Sequence, residues 1–365
     1  AIAAATAAPR DAPPDGAEDG AIDASALLGQ SRGSGESGGA DGGDGDLYAA
    51  FHADARAAAA QEDLSAAAEA FLLHSSLDDA APLAHKCMVA DALAAAGHAE
   101  VAPETHVCAS PEEALAALEA APAGSLWFLK DPAVQRGQGI AMLRAPADPG
   151  AVRAAFPRGR RACLQRGVEP QLLDGRKFGV RVHVLVLARP GAGRVAVLMC
   201  QDGILTKCFK PYAGADDTSA LAQITCTSVQ RAEKGFDRAA AKGPASELWP
   251  AGWAAAQPAL EQSVVRVVQS TRARLLARLP AANEPLRAQM FGFDYLFDAA
   301  GRPVFIEANI APQFQDAKAL PALRASVAEP MINGAAEALA VLAAGRPSQA
   351  FAGRAGAWKH LADLP

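Results

Sequence analysis

Residues 290–312, MFGFDYLFDAAGRPVFIEANIAP, are the stretch that decides the fold. Two apolar runs, 291–297 and 303–306, flank the tetrapeptide Ala-Ala-Gly-Arg at 299–302, which favours a turn. Apolar runs on either side of such a turn predict a β-hairpin. The dense apolar flanks indicate that this hairpin is central to the fold rather than peripheral.

Three oxygen-bearing side chains fall on one face of this predicted hairpin. If the turn is centred between residues 300 and 301, Asp294 lies directly opposite Glu307. Asn309 shares the face of Glu307, because side chains alternate along a strand. Two carboxylates and an amide oxygen are hard ligands suited to Mg²⁺, with room left for phosphate oxygens and water. The alternative is a hairpin whose carboxylates are simply solvated on its outer face.

Length and composition are those of a globular protein with more than one subdomain. The 365 residues suffice for two or three packed subdomains, and 51% are hydrophobic, mainly alanine, with only 5% aromatic. No strongly apolar run of about 18 or more residues occurs, so we expect no membrane span. The net charge of −6 argues against a general nucleic-acid binder. Strands and helices interleave, with a mostly antiparallel cluster late in the chain, so the predicted class is α/β or α+β.

The sequence pattern divides the chain into five parts. Residues 1–46 are rich in Gly, Ser, Ala and Asp and hold nine acidic residues, which predicts a disordered acidic tail. Residues 47–124 begin with Ala-rich segments of helical spacing and predict a helical or α/β N-terminal subdomain. Residues 125–168 predict a small central α+β subdomain. Residues 169–345 predict a larger subdomain with a mixed or antiparallel sheet, and 346–365 a C-terminal tail.

Cysteine usage and the first residues bear on the cellular compartment. Six cysteines are scattered with no CxxC pair and no zinc-like spacing, and most fall in apolar stretches, so we expect reduced intracellular thiols. The first residues lack a basic start before their apolar run, so we expect no secretory signal. The expected location is therefore cytoplasmic.

A glycine-containing loop follows the predicted strand that ends at Lys130. The loop, within KDPAVQRGQGI at 130–140, holds Arg136, Gly137 and Gly139. Glycines let backbone N–H groups approach phosphate oxygens, and Lys and Arg supply the countercharge. It is not a Walker A loop, because GxxxxGK[ST] is absent and a strand follows. A glycine-rich hairpin loop with a stray arginine is an equally simple alternative.

A second cationic pattern lies on the long predicted strand 176–188. Lys177, Arg181 and His183 share one face, apolar residues alternate on the other, and Gly179 leaves space between the cations. Two cations four residues apart on a strand repel, so something negative should lie over them. An exposed strand face is the alternative, but a polyphosphate accounts for these cations together with the first loop and the oxygen ligands. We expect His183 to be structural or solvent-facing rather than catalytic.

Two further segments leave their interpretation open. The hydroxyl-rich stretch 223–230 either lines a site or forms a turn. A basic cluster either meets an acidic partner or is a solvated loop, and the solvated loop is favoured. The members of this cluster are Arg153, Arg158, Arg160, Arg161 and Arg166.

The hairpin, the glycine-containing loop, the cationic strand and the stretch 223–230, in their order along the chain, resemble the tubulin–tyrosine ligase-like family, which has an ATP-grasp fold. The matching stretches run from about residue 84 to 345 and include LWFLKDP, RGQGI, GRKFGVRV, GILTKCFKPY, QITCTSVQ and the hairpin itself. The GRKF-x-x-R strand combined with FGFD and E-x-N is specific, whereas each piece alone is not. The resemblance implies a nucleotide clamped between the small central subdomain and the larger C-terminal one.

The resemblance also implies a role for each matching residue. ATP would be bound by Lys130, Arg136, Gly137, Gly139, Gln165, Arg166, Val168, Lys177, Arg181 and Asp294. Of these, Gln165, Arg166 and Val168 would border the adenine at the hinge between the subdomains. The magnesium ligands would be Asp294, Glu307 and Asn309. The catalytic residues would be Lys177, Arg181 and Glu307. ATP and Mg²⁺ are the implied cofactors.

The chain departs from the family pattern where substrate and ribose are expected. Gly179 stands in place of the usual aspartate of GRKFD, so a carboxylate near the nucleotide is missing. The stretch 223–226, QITC, replaces the usual HLTN. Thr206 and Lys210 replace an arginine and a glutamate. The metal and phosphate elements are retained, while the elements near substrate differ.

The activity that the resemblance implies is ATP-dependent ligation through an acyl phosphate, which an amine attacks to form an amide or isopeptide bond. We expect an amino acid to be joined to a protein, with tubulin tails as acceptor and polyglutamylation as the reaction, near the cytoskeleton or cilium. One alternative is a family member that binds nucleotide and a cytoskeletal partner without ligation. Another is an ATP-grasp ligase for a different substrate. No nucleic-acid or membrane partner is expected.

Overall fold

Two antiparallel sheets with packed helices make up the described part of the chain. The structure, a computed structural model, describes residues 81–134, 137–188, 191–231, 233–276, 281–283, 287–309, 320–331, 334–335, 338 and 357–365. The acidic tail predicted for 1–46 and the helices predicted directly after it lie outside these residues. Within the described ranges, no helix has the length and apolar character needed to cross a bilayer.

The elements are numbered in chain order. The strands are β1 (Thr105–Cys108), β2 (Leu126–Lys130), β3 (Ile140–Arg144), β4 (Ala162–Arg166), β5 (Leu172–Leu173), β6 (Arg176–Ala188), β7 (Val195–Lys207), β8 (Lys242–Pro244), β9 (Arg287–Phe297), β10 (Pro303–Asn309) and β11 (Trp358–Leu364). The helices are α1 (Ala81–Ala84), α2 (Lys86–Ala95), α3 (Pro111–Ala120), α4 (Pro149–Ala155), α5 (Ala220–Gln223), α6 (Thr227–Gln230), α7 (Arg238–Ala241), α8 (Ala245–Leu248), α9 (Pro250–Leu275) and α10 (Pro321–Leu323). A 3₁₀ turn spans Ala99–Val101, and a π-helical turn, Arg324–Ala328, continues α10.

The smaller sheet has four strands in the order β1-β4-β2-β3. All residues of β2 are buried, and α3 and α4 pack with the sheet around a core that includes Trp127 and Leu164. Because β1 pairs with β4 through Cys108 and Ala162, a strand from the predicted N-terminal subdomain belongs to this sheet. The subdomain boundary expected at 124/125 therefore separates β1 from the three other strands of the same sheet.

The larger sheet has the strand order β10-β9-β6-β7-β11, with β5 added to β6 and β8 to β7. All of these pairs are antiparallel. Its main core joins the apolar face of β6 to the long helix α9, through residues such as Val182, Leu260 and Val264. The predicted mixed class with an antiparallel cluster late in the chain is confirmed.

The C-terminal strand corrects one expectation. Residues 346–365 were expected to form a tail, but β11 pairs with β7 from Trp358 opposite Cys200 to Leu364 opposite Val195. The Trp358 indole is buried, and its Nε1 donates to the carbonyl of Met331 at 2.6 Å. For residues 358–364 the expectation of a tail is wrong, since they form an edge strand of the larger sheet.

The hairpin predicted from residues 290–312 forms from β9 and β10. The structure describes it as far as residue 309, and residues 310–312 lie outside the described residues. Glu307 lies opposite Asp294, as predicted. Nearer the turn the partners differ from the predicted register, since Phe305 faces Tyr295. A β-bulge between residues 305 and 307 inserts one extra residue and restores the predicted pairing at the acidic positions.

Candidate functional site

A cavity of about 310 Å³ opens between the two sheets. Its walls come from β2 and β4 of the smaller sheet, from β6, β9 and β10 of the larger sheet, and from the segment that carries α5 and α6. This cavity brings together most of the side chains that the sequence singled out. They are Lys130, Gly137, Gln165, Arg166, Val168, Lys177, Arg181, Asp294, Glu307 and Asn309.

The predicted phosphate loop is only partly in the cavity wall. Gly137 lines the cavity with φ +75°, and a Cβ there would lie 2.6 Å from Cγ2 of Val229, so glycine alone lets the loop lie against α6. Gly139 is not in the wall: a Cβ there would lie 3.2 Å from Cβ of Asp131, within the same loop. Arg136 lies outside the described residues.

Lys130 is a buried lysine at the end of β2. Its ammonium donates to Oε1 of Gln165 at 2.6 Å, and Nε2 of Gln165 donates to Oγ1 of Thr105 at 3.3 Å. Burial lowers the pKa of Lys130, because the charged form loses hydration there. The amide oxygen of Gln165, predicted to border adenine, thus already holds the lysine.

Lys177 on β6 is the second buried lysine of the cavity, with 1% of its surface exposed. Its ammonium lies 3.4 Å from Oε1 of Gln223 and 5.5 Å from the ring centroid of Phe128. Burial lowers the pKa of Lys177 to about 8, and the charge of Lys130 acts in the same direction. Each buried lysine therefore bonds to a neutral glutamine oxygen rather than to a carboxylate.

Two of the three predicted hairpin ligands, Asn309 and Asp294, are in direct contact. Nδ2 of Asn309 donates to Oδ2 of Asp294 at 3.1 Å. Arg181 donates two hydrogen bonds of 2.7 Å to the same carboxylate, from Nε to Oδ1 and from Nη2 to Oδ2. Burial lowers the pKa of Arg181, but the charge and hydrogen bonds of Asp294 outweigh it and raise the pKa overall. Arg181 thus stays charged and neutralises Asp294.

Lys86 carried no signal in the sequence, yet it faces the other hairpin carboxylate. It is the first residue of α2, and its Nζ lies 3.5 Å from Oε2 of Glu307 and donates to the carbonyl of Val134 at 3.3 Å. The contact arises because α2 packs against β1 and β4 and so reaches the cavity. A lysine that opens an alanine-rich helix is otherwise typical of a solvated helix end.

Positive charge dominates the cavity. Among its described lining residues, seven side chains are cationic and two are acidic. Both acids, Asp294 and Glu307, already have a cationic partner. The other cations are Lys130, Arg166, Lys177, Arg231 and Lys242. Such an excess of positive charge in a concave site favours a polyanion, and a polyphosphate above all.

The hairpin oxygens fit a hard divalent cation. In the described ranges, no group of three or more Asp, Glu, His or Cys side chains could hold a metal alone. Two carboxylates with an amide leave coordination positions for phosphate oxygens and water, which is how Mg²⁺ binds in nucleotide sites. A metal here would share Asp294 with Arg181 and Glu307 with Lys86, because each carboxylate already has that cationic partner.

The position of Gly179, where the sequence departs from the family pattern, has little room for a side chain. A Cβ at Gly179 would lie 2.9 Å from Oγ1 of Thr225 and 3.2 Å from the carbonyl of Tyr295. The space for a family-like carboxylate is therefore taken by Thr225, which lines the same part of the cavity.

His183 is buried rather than solvent-facing. Burial lowers its pKa to about 3, with the charges of Arg181 and Lys242 acting in the same direction. His183 is outside the cavity wall and neutral near pH 7, so the structural interpretation is the one that remains.

The basic cluster is largely paired within the chain. The ion pairs are Arg153–Glu112 at 3.3 Å, Arg160–Asp131 at 3.6 Å, Arg161–Asp91 at 2.6 Å and Arg166–Glu104 at 3.3 Å. Exposed pairs of this kind add little stability, but they offset the charge that an acidic partner would seek. The solvated interpretation is therefore the better one.

Comparison with known proteins identifies the family. The model of the tubulin-tyrosine ligase family matches residues 82–343, more than half of the chain. The chain therefore belongs to the tubulin-tyrosine ligase family, as the resemblance predicted. Its two antiparallel sheets agree with the ATP-grasp-like fold of a family whose members are generally ATP-dependent ligases using ATP and Mg²⁺. No curated protein matches the chain.

Proposed function

We propose that this protein is an ATP- and Mg²⁺-dependent ligase that adds an amino acid to a protein, with a tubulin tail as the acceptor. The observation that carries the proposal is the pair of buried lysines, Lys130 and Lys177, each bonded to a neutral glutamine. Burying an ammonium is costly unless negative charge lies close to it. A triphosphate in the cavity would supply the charge that neither glutamine provides.

ATP would lie across the cavity with its phosphates between the two sheets. Lys130 and Lys177 would bind the phosphates from opposite sides, because one stands on each sheet. The hinge at 165–168 would border the adenine, and the loop at Gly137 would cover the phosphates. This arrangement uses the predicted nucleotide residues that line the cavity.

The hairpin would hold the metal. Asp294, Glu307 and Asn309 would bind Mg²⁺, which when bound neutralises charge on the transferred phosphoryl group. Arg181 and Lys86 line the same cavity and add two more cations to that end of the site. Preorganised charge of this kind lowers the barrier to phosphoryl transfer without reorganisation at the moment of reaction.

The proposed reaction has two displacement steps. In the first, a carboxylate oxygen attacks the γ-phosphorus of ATP, and ADP leaves. In the second, an amine attacks the carbonyl carbon of the acyl phosphate and loses a proton, and phosphate leaves as the amide bond forms. Lys177 and Arg181 would neutralise the phosphoryl group in both steps, and the cleft would align the acyl phosphate with the amine.

Glutamate is the amino acid we propose, which would make the reaction a polyglutamylation. Arg231 and Lys242 line the cavity beside the hydroxyl groups of Thr227 and Ser228. Lys242 donates to Oγ1 of Thr227 at 3.2 Å. Cations next to hydroxyl groups suit the two carboxylates of an acidic amino acid. Activity on tubulin would place the protein at microtubules, in the cytoskeleton or cilium.

A second candidate is a family member that binds nucleotide and a cytoskeletal partner without ligation. Gly179 and Cys226 stand where the family pattern has an aspartate and an asparagine, and Thr225 crowds the place of the missing carboxylate. An ATP-grasp ligase with another substrate is the third candidate, favoured by the same departures on the substrate side.

The first prediction concerns the metal ligand Glu307. The full chain is incubated with tubulin, Mg·ATP and each labelled amino acid in turn, and we expect incorporation of glutamate. Glu307→Gln should abolish incorporation and ATP consumption, because it removes one of two carboxylates from the oxygen set. Glu100→Gln is the matched control: this carboxylate is exposed, pairs with Arg266 at 3.0 Å and does not line the cavity.

Each outcome decides between the candidates. Unchanged ATP consumption in Glu307→Gln contradicts the metal assignment. Clear ATP binding without incorporation of any amino acid favours the non-catalytic family member. Incorporation into proteins other than tubulin favours the third candidate.

A further inference from the structure

Gln223, the last residue of α5, joins Lys177 to two backbone carbonyls through hydrogen bonds of its buried side chain. Its Oε1 accepts from Lys177 at 3.4 Å, and its Nε2 donates to the carbonyls of Gly214 at 3.1 Å and Asp217 at 2.7 Å. The partners fix the orientation of the amide, because an ammonium only donates and a carbonyl only accepts. The side chain at this position must therefore offer an acceptor and a donor together.

The neutrality of this amide leaves the charge of Lys177 uncancelled. The groups that face the lysine from neighbouring elements are Lys130, Cys208, Glu169 and the ring of Phe128. Burial raises the pKa of Cys208 to about 12, so the thiol is neutral near pH 7. Glu169 favours the ammonium and Lys130 opposes it, while burial remains the strongest influence. Among the described residues no carboxylate bonds directly to Lys177.

The same amide anchors a loop that touches the other sheet. Residues 214–217 accept from Gln223 on one side. On the other side the loop meets Arg144 of β3, which bonds to a loop carbonyl and pairs with Asp216 at 2.8 Å. Since Arg144 belongs to the smaller sheet and Lys177 to the larger one, a single side chain links the lysine to a contact between the sheets.

We propose that Gln223 is a positioning residue, which directs the Lys177 ammonium at the anionic ligand without cancelling its charge and ties it to the loop 214–217. The inference rests on the proposed function, since it requires a polyanion in the cavity. A carboxylate at position 223 would neutralise the lysine and oppose two carbonyl oxygens. An apolar side chain would leave the ammonium without its acceptor and the loop without its donor.

The test measures the affinity of the full chain for ATP against pH, by calorimetry without metal. The terminal phosphate of ATP, with a pKa of about 6, stays ionised above neutral pH, so a change in affinity reports on the protein. For the wild type, affinity should fall as pH rises through about 8, because Lys177 then loses its proton. The pKa of Lys130 is also lowered by burial, and its part in the fall is common to all variants at position 223. The midpoint of this fall is the quantity compared between variants.

Two substitutions should move the midpoint in opposite directions. Gln223→Glu should raise it by about one pH unit, because an adjacent carboxylate favours the ammonium, and should weaken ATP binding at neutral pH about tenfold. Gln223→Met should lower the midpoint, because the ammonium loses its acceptor in a buried place. Gln223→Asn keeps the amide but withdraws it by one methylene, so a smaller downward shift is expected.

Gln230→Met is the matched control. Gln230 is as buried as Gln223, its Oε1 accepts from the backbone of Phe209 at 2.7 Å, and its Nε2 donates to the carbonyl of Ile224. It anchors the same segment of the chain but makes no bond to Lys177. Its loss should lower stability and leave the midpoint of the pH dependence where it is.

Opposite shifts for the glutamate and methionine variants establish the positioning role. Equal loss of affinity at every pH, with an unmoved midpoint, reduces Gln223 to a loop anchor and overturns the inference while leaving nucleotide binding intact. Absence of ATP binding by the wild type both with and without Mg²⁺ overturns the proposed function and the inference with it; if binding requires Mg²⁺, the same pH series is run with Mg²⁺ present. If the methionine variant does not fold, the glutamate and asparagine variants still give the two directions of shift.

Discussion

At the scale of single residues, four of the seven cations among the described lining residues of the cavity fall into two groups according to their partners. Arg181 and Lys86 each face a carboxylate of the hairpin. Lys130 and Lys177 each face a glutamine, so their charge is available to a ligand. Lys86 carries no signal in the sequence, but the sequence predicts where Arg181, Lys130 and Lys177 stand on strands. It does not predict their partners, because each partner comes from a distant segment and is set by tertiary packing.

The crowding at Gly179 leads to a prediction at the same scale. Gly179→Asp should lower the free energy of unfolding by about 1–3 kcal/mol, because the added side chain enters a filled space. It should not create a family-like site, since its Cβ would lie 2.9 Å from Oγ1 of Thr225. Urea denaturation of the variant measures the loss.

Thr225→Ala provides the control through a double-mutant cycle. Removing the hydroxyl should recover part of the loss, so the double variant should be more stable than the sum of the two single effects indicates. Strictly additive effects would show that Thr225 is not what excludes a side chain at Gly179.

At the scale of elements, β11 gives the clearest prediction. Trp358→Ala should cost about 3–5 kcal/mol in unfolding free energy, because it removes a buried indole that packs in the larger sheet and bonds to Met331. Lys359→Ala is the neighbouring control, since this side chain is exposed and pairs with Glu261 at 2.6 Å, an interaction typically below about 1 kcal/mol. Similar small losses in both variants would mean that the strand contributes little to the core.

The same strand shows what local pattern misses. β11 reads WKHLADL, which lacks a clean alternation of apolar and polar residues, because only its first and last residues are buried. The hairpin of β9 and β10 was predictable because its apolar runs and turn are adjacent in sequence. Its bulge at residue 306 was not, since a bulge is set by how the strands twist within the sheet.

At the scale of the whole molecule, acid stability should depend on His183. Its pKa is about 3 in the folded protein against 6.5 as the ordinary value, so the unfolded chain binds one more proton between these pH values. The contribution of His183 to the free energy of unfolding should therefore be complete above about pH 6.5. Below that pH it should fall by about 1.4 kcal/mol for each pH unit. His183→Gln should remove that part of the slope in urea denaturation at a series of pH values.

His106→Gln, at a half-exposed histidine, controls for the loss of an imidazole elsewhere. Parallel pH curves for His183→Gln and the wild type would contradict the assignment. A shallower acid slope in that variant alone would support it.

The family, the mixed class and the two-sheet plan follow from the sequence because each depends on motifs or on contiguous apolar pattern. The set of side chains that lines the cavity does not follow from the sequence in the same way. Lys86 enters the cavity from α2, where nothing local distinguishes it from a solvated helix end. For the stretch 223–230 the sequence leaves a site-lining role and a turn both open, and the packing of the two sheets places Gln223 and Thr225 in the cavity wall.

The contact between Gly137 and α6 has a consequence for the speed of ligand entry. The loop from the smaller sheet lies so close to Val229 that a single added methyl group would meet it, and Arg144 joins the sheets at a second point. We expect a nucleotide that enters between the sheets to need these contacts to part before it reaches the buried lysines. Association should then be paced by opening of the cleft rather than by diffusion, and the same contacts should slow the escape of bound nucleotide.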